Sequence, residues 1–200
     1  MNENHIRYTF ELMKQDGDVI EVRFFQGNKT YSGYFDNVDT LVKDVMQYGQ
    51  ENIYFVMNKI KHECLSRLQY NRIMQVDKKM NATSDTDIEC RTWLLIDVDS
   101  LRSTGVSASD GEKKASGVIA NKIYAYLRDI GFSEPIATDS GNGYHLLYHI
   151  NMKNDIESRD LIDKFLKSLD VMFSNEMAQV DKSVFNASRI TKLYGTFARK

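Results

Sequence analysis

The sequence predicts an α+β protein: a strand-rich first half, then a second half ordered β-α-β-β-α-β, the ferredoxin-like arrangement. Three observations lead there. The run "TWLLIDVDS", residues 92–100, is short and apolar and stops in two carboxylates, as a buried strand does where its end meets solvent. Two amphipathic stretches of helical period follow it. Between them, "ATDSGNGYHLLYHI", residues 137–150, sets a glycine-bracketed turn before an alternating run.

Taken in order, the chain opens with expected strands in "RYTFELM" (7–13) and "VIEVRFF" (19–25), separated by the turn "QDGD". "NVDTLVKDVMQYG" (37–49) spaces Val38, Leu41, Val42, Val45 and Met46 as a helix does, with Gly49 as its C-cap. "NIYFVMN" (52–58) reads as a buried strand. Residues 60–90 are polar and aperiodic, which predicts a helix-poor connection crossing between two lobes. After the carboxylate-ended strand, "SDGE" (109–112) has capping-box form. The helix it opens presents Ala115, Val118, Ile119, Ile123, Tyr126, Leu127 and Ile130 on its apolar face, and Gly131 closes it. Pro135 precedes the strand "IATDS". In the hairpin's second strand Tyr144, Leu146 and Tyr148 point one way and His145, Leu147 and His149 the other. "IESRDLIDKFLKSLDVMF" (156–173) is a second helix, with Ile162, Phe165, Leu166, Leu169, Met172 and Phe173 on its face. "QVDKSVFN" (179–186) is the last strand-like piece and leads into "ASRITKLYGT".

Two hundred residues suit one domain, or two small lobes sharing a cleft. A formal net charge of -2 argues against a strongly basic nucleic-acid glove but permits a local basic patch. Two cysteines, Cys64 and Cys90, are too few for a zinc ribbon or a disulfide framework and suit a reducing interior. The opening "MNENHIRYTF" is neither a signal nor a transit peptide, and no apolar run spans a bilayer. A cytoplasmic protein without a membrane is expected. The chain stops at "TFARK" without an ending element, as the excised catalytic part of a longer protein would.

Asp97 and Asp99 stand two apart on a strand, so both side chains leave the same face. Carboxylates that close repel unless a cation lies between them or one is protonated. An isolated D-x-D also occurs at solvated strand ends, and Ser-Gly-Asn-Gly is sound turn chemistry in its own right. The fold order bears on the choice: the first and third strands of such a sheet are neighbours, so the hairpin with Ser140 and His145 comes beside Asp97 and Asp99. Asp181 offers a third carboxylate. Three of them on one sheet face suit magnesium or manganese better than zinc. A histidine and a glycine turn with exposed N–H groups suit a polyphosphate, and Arg189 and Lys192 supply cations for a triphosphate. The combination points to phosphoryl transfer.

These residues resemble the archaeo-eukaryotic primase superfamily, in particular the compact primase–polymerase domains of plasmids, phages and CRISPR-linked operons. "WLLIDVDS" is similar to the family's first motif, "SGNGYHLLY" to its second, and "VDKSVFNASRITKLYGT" to its third and the segment after it. "NIYFVMN" and "TSDTDIECRTW" are similar to its lead-in. The resemblance implies a single catalytic domain over 1–200. Its N-terminal α/β module (1–90) would pack on an RRM-like module (91–200), with the active site in the cleft between them. It implies a DNA primase or polymerase joining nucleotides with release of pyrophosphate. Asp97, Asp99 and Asp181 would hold two magnesium or manganese ions. His145, Ser140 and the backbone of Gly141, Asn142 and Gly143 would hold the nucleotide's phosphates, which Arg189 and Lys192 would neutralise. Asn58 and Arg102 match recurring positions. Its partners would be nucleoside triphosphates, a single-stranded template with primer, and a helicase or accessory domain outside this chain.

Three rivals are weaker. A rolling-circle endonuclease pairs histidines around one hydrophobic residue, whereas His145 and His149 are separated by three. A non-catalytic RRM-like nucleic-acid binder needs aromatic residues on the open sheet face, whereas Tyr144 and Tyr148 alternate away from His145. A metal-dependent nuclease would use the carboxylates but not the phosphate-binding hairpin.

Overall fold

Asn2 caps a helix where a strand was expected. In the computed structural model, which describes residues 1–49, 51–76, 82–103 and 105–198, α1 runs Glu3–Met13, with the Asn2 side chain accepting the His5 N–H. Ile6, Phe10 and Met13 recur at helical spacing and are buried, whereas Tyr8 and Leu12, which mimic a strand's alternation, are exposed.

β1 (Ile20–Gln26) and β2 (Lys29–Phe35) form a hairpin whose turn places Gly27 at φ +54°. β2 has no counterpart in the sequence reading. α2 (Val38–Val45) begins at the cap Asn37 and tightens into a 3-10 turn, Met46–Tyr48, and β3 (Tyr54–Val56) follows. β4 (Lys59–Ile60), a 3-10 turn at His62–Ser66 and β5 (Met74–Val76) occupy the stretch expected as a connection. That stretch is indeed poor in helix, but it does not cross between lobes. Cys64, Leu65 and Leu68 pack with Tyr34, Val56 and Ile88 in a core of the first unit. Apolar side chains set at irregular intervals gave it no period to read. Residues 77–81 lie outside the described residues.

β6 (Ile88–Ser100), α3 (Asp110–Asp129), β7 (Ile136–Asp139), β8 (Gly143–Lys153), α4 (Ile156–Phe173), β9 (Ala178–Val180) and β10 (Ile190–Lys192) complete the chain. Among the described residues this is an α+β protein of two antiparallel sheets and four α-helices. Among the described residues no helix is long and apolar enough to cross a membrane.

The chain divides into two compact units. The first comprises Met1–Arg91 and the chain from Ala187 on, around a sheet ordered β10-β3-β1-β2-β5. β4 pairs with the first residues of β6, Lys59 opposite Cys90. The sequence division at residue 90 left the last segment with the second module. It groups instead with the first, because β10 pairs with β3. The buried Glu21 carboxylate is fully engaged by Arg23, the Ser32 hydroxyl and the Thr83 N–H. Without such partners a buried charge would be prohibitive.

The second unit is Thr92–Asn186. Its strands lie in the order β9-β6-β8-β7. Phe132 meets Tyr148 edge-on and stacks on Phe165 of α4, so the Tyr148 side of the sheet is the helix side. Ser109 and Glu112 form the expected capping box, and Gly131 ends α3's final turn at φ +95°. The buried stripe of α3 is Ser116, Ile119, Ala120, Ile123 and Leu127, narrower than expected, because Val118 and Ile130 are exposed. On α4 Ile162, Leu166 and Leu169 are buried, and Met172 is exposed.

Candidate functional site

Leu94, Ile96 and Val98 are buried, so the intervening Asp97 and Asp99 share the opposite face of β6. Beyond Val98 the strand pairs with β9, Val98 opposite Val180. There the Asp181 N–H donates to the Asp97 carbonyl at 2.8 Å, which ties the third carboxylate's backbone to the first's. The Asp181 Oδ1 accepts the Ser183 N–H at 2.8 Å and turns the chain out of the strand.

From β8, His145 enters the same face. It is 5% exposed, and its Nε2 lies 3.4 Å from Asp97 Oδ1. That oxygen is buried and has no hydrogen-bond partner. Further along the face Trp93 meets His149 edge-on. The expected alternation of the hairpin therefore holds, with Tyr144 against α3, close to Gly117, and His145 on the far side. Two neighbours went unread in the sequence. Thr138 stands directly opposite His145 across the hairpin, with its hydroxyl buried. Asp139 pairs with Lys113 at 2.6 Å. Only the strand pairing exposes them, since "IATDS" carries no chemical signature of its own.

The turn 140–143 is built differently from the expected cradle of open N–H groups. The Gly143 N–H donates to Ser140 Oγ (2.9 Å), the Gly141 N–H to Asp139 Oδ1 (2.7 Å), and the Ser140 N–H to the Gly143 carbonyl (3.1 Å). Asn142 Oδ1 accepts the Ala108 N–H at 3.0 Å, anchoring the loop before α3. Gly141 needs its lack of a side chain for φ +97°. Gly143 needs it for space: a β-carbon there would stand 2.2 Å from the Val98 carbonyl oxygen and 2.7 Å from Asp99 Oδ1.

The remaining candidates stand elsewhere. Arg102 braces its own loop, donating to the Ser100 hydroxyl (2.7 Å), the Ser100 carbonyl (3.1 Å) and the Val106 carbonyl (2.9 Å). Asn58, Arg189 and Lys192 belong to the first unit. Asn58 is buried and donates to the Ala187 carbonyl at 2.8 Å. Lys192 lies opposite Tyr54 and donates to the Thr196 carbonyl at 3.1 Å. The second unit thus gathers Asp97, Asp99, Asp181, Ser140–Gly143 and His145.

Among the described residues no three His, Cys, Asp or Glu side chains are drawn into a ready-made ligand cluster. What fits a cation is Asp97. Its buried oxygen accepts no hydrogen bond, and a divalent metal with oxygen ligands would satisfy it. Compared with protein-family models, with curated proteins and with solved structures, the chain matches none.

Proposed function

We propose that the chain is a template-dependent nucleotidyltransferase, a DNA primase or polymerase of the archaeo-eukaryotic primase type. The observation that carries the reading is the buried oxygen of Asp97 that accepts no hydrogen bond. It faces His145 on the surface that also bears Asp99, and Asp181 is bonded to the same strand. The strand order β9-β6-β8-β7 supports an RRM-like second module, since it sets the first and third strands of a β-α-β-β-α-β unit side by side. Tyr144 and Tyr148 lie on the helix side, where they are lost to a non-catalytic RRM-like binder.

Asp97, Asp99 and Asp181 would hold two magnesium or manganese ions, which when bound lower the pKa of the primer's 3′-hydroxyl and neutralise the departing pyrophosphate. The chain's own residues do the rest. His145, held nearly out of water, donates to a phosphate oxygen of the incoming nucleotide and fixes its position. The turn's contribution is rigidity: with the Gly141 and Gly143 N–H groups engaged internally, it sets the register of His145 against Asp97.

The test is incubation with single-stranded template, labelled nucleotides and manganese or magnesium, with products resolved by length. Template-dependent products that vanish in Asp97→Asn are expected. A protein that binds manganese and template but incorporates nothing would overturn the assignment.

A further inference from the structure

Alternation along β1 gives the first unit's sheet two faces. Val22 and Phe24, with Phe55 of β3, are fully buried on the α1 side, where Phe10 meets Phe55 edge-on. The other face is divided. One half is sealed by the unit's own core, in which Tyr34, Val56, Ile60 and Ile88 pack together. The other half carries Arg23, Phe25, Tyr54 and Lys192. Phe25 keeps 48% of its surface exposed, and its ring centroid lies 6.2 Å from that of Tyr54. Arg23 stands opposite Tyr54, and Tyr54 opposite Lys192, so a tyrosine sits between two cationic side chains in one row across three strands.

Phe25 could have been polar at no structural cost on so open a position, and exposing it gains nothing for folding. An exposed ring beside a second ring, bordered by cations, is complementary to one class of partner: planar bases joined by phosphates. Both cations are held in position. Arg23 is fixed by Glu21 at 2.8–3.0 Å, and the Lys192 ammonium donates to the neutral Thr196 carbonyl. A purely apolar protein partner would find cations across its contact, which desolvation makes costly.

We infer that this half-face is a platform for single-stranded nucleic acid, with bases stacking on Phe25 and Tyr54 and a flanking phosphate meeting Lys192. Its occupant is the template strand, so the inference rests on the nucleotidyl-transfer reading, although its test needs no catalysis.

The experiment is fluorescence anisotropy with a labelled oligothymidylate of about 16 nucleotides, in chelator, across a salt series. Phe25→Ala should weaken binding about tenfold, the loss of one stacked base, and Phe25→Trp should retain it. Lys192→Gln should flatten the slope of log affinity on log salt by about 0.7, one phosphate contact to a single strand. Unchanged affinity in Phe25→Ala, or equally tight binding of a duplex, would overturn the platform. The two readings fail separately. An inactive wild type that still binds through Phe25 defeats the enzyme assignment alone, and an active one whose template affinity ignores Phe25→Ala defeats the platform alone.

Discussion

A β-carbon on Gly143 would stand 2.2 Å from the Val98 carbonyl oxygen, and backbone cannot relieve that distance unless β8 parts from β6. Gly143→Ala should therefore lower stability by about 3 kcal/mol, the upper end of overpacking costs. It should also move His145 off Asp97. Melting temperature and nucleotide affinity measured on one sample check this, and a variant that melts like wild type refutes the steric account. Asp97 behaves oppositely. Asp97→Asn removes one of two neighbouring carboxylates, so folding should hold or improve while manganese affinity and incorporation collapse. Titration calorimetry with urea unfolding separates the two effects; a variant that keeps its manganese affinity removes Asp97 from the metal site. Lys14 gives a pH signature. Burial pushes its ammonium down from 10.5 to about 8, although it donates to the Met57 and Asn58 carbonyls at 3.0 and 2.9 Å. Below about 8 it is charged folded and unfolded alike. Between 8 and 10.5 the folded form releases its proton first, so the unfolded state binds more protons and stability rises with pH. Wild type should gain stability over Lys14→Met through that window, as urea midpoints on either side of it would report. Parallel pH profiles count against the burial.

At the scale of elements, what is local was legible and what is not local was not. The start of α3 is written in the four residues from Ser109 to Glu112, which need no distant partner. Ser109→Ala should cost about 1 kcal/mol and expose the first-turn amides to exchange, and unchanged protection there would show that tertiary packing alone fixes the helix start. Its buried stripe differs from the apolar pattern because Ser116 and Ala120, too small to read as apolar anchors, are buried, while Gly117 leaves room for the Tyr144 ring. The first helix was misread because Tyr8, Phe10 and Leu12 alternate like a strand, while the cap at Asn2 and the spacing of Ile6, Phe10 and Met13 are the true signal. β2 went unseen since Ser32 and Gly33 depress its strand character. Gly33 is there because a β-carbon would stand 2.6 Å from the Arg72 carbonyl oxygen. The candidate site follows the same rule. The spacing of Asp97 and Asp99 and the alternation that brings in His145 are readable along one strand each. The reason for Gly143, and the internal use of the turn's N–H groups, reside in a neighbouring strand and in side chains that sequence cannot orient.

The molecule as a whole depends on a return of the chain that no local pattern announces. After completing the second unit, the backbone re-enters the first at Ala187 and supplies its edge strand. The join is dense in specific contacts. Ala187 and Leu193 are fully buried. The Ala187 carbonyl accepts from Asn58, and Ser188 donates to Asp85 through its N–H at 2.8 Å and its hydroxyl at 2.7 Å. The Gly195 carbonyl accepts the Asn2 N–H at 2.8 Å, just before α1 begins. A chain ended after Asn186 forfeits all of these at once and strips β3 of its outer partner, whereas every strand of Thr92–Asn186 keeps its neighbours within that unit. Losing Leu193 alone is worth about 2–5 kcal/mol. The truncated chain should lose amide protection in β1 and β3 and fray at α1, with the amides of β8 and of β6 beyond Thr92 still protected. Hydrogen exchange read by mass spectrometry decides it. Equal loss in both units would mean that they fold as one cooperative block, and no loss in either would mean that β10 is a passenger on an already stable sheet.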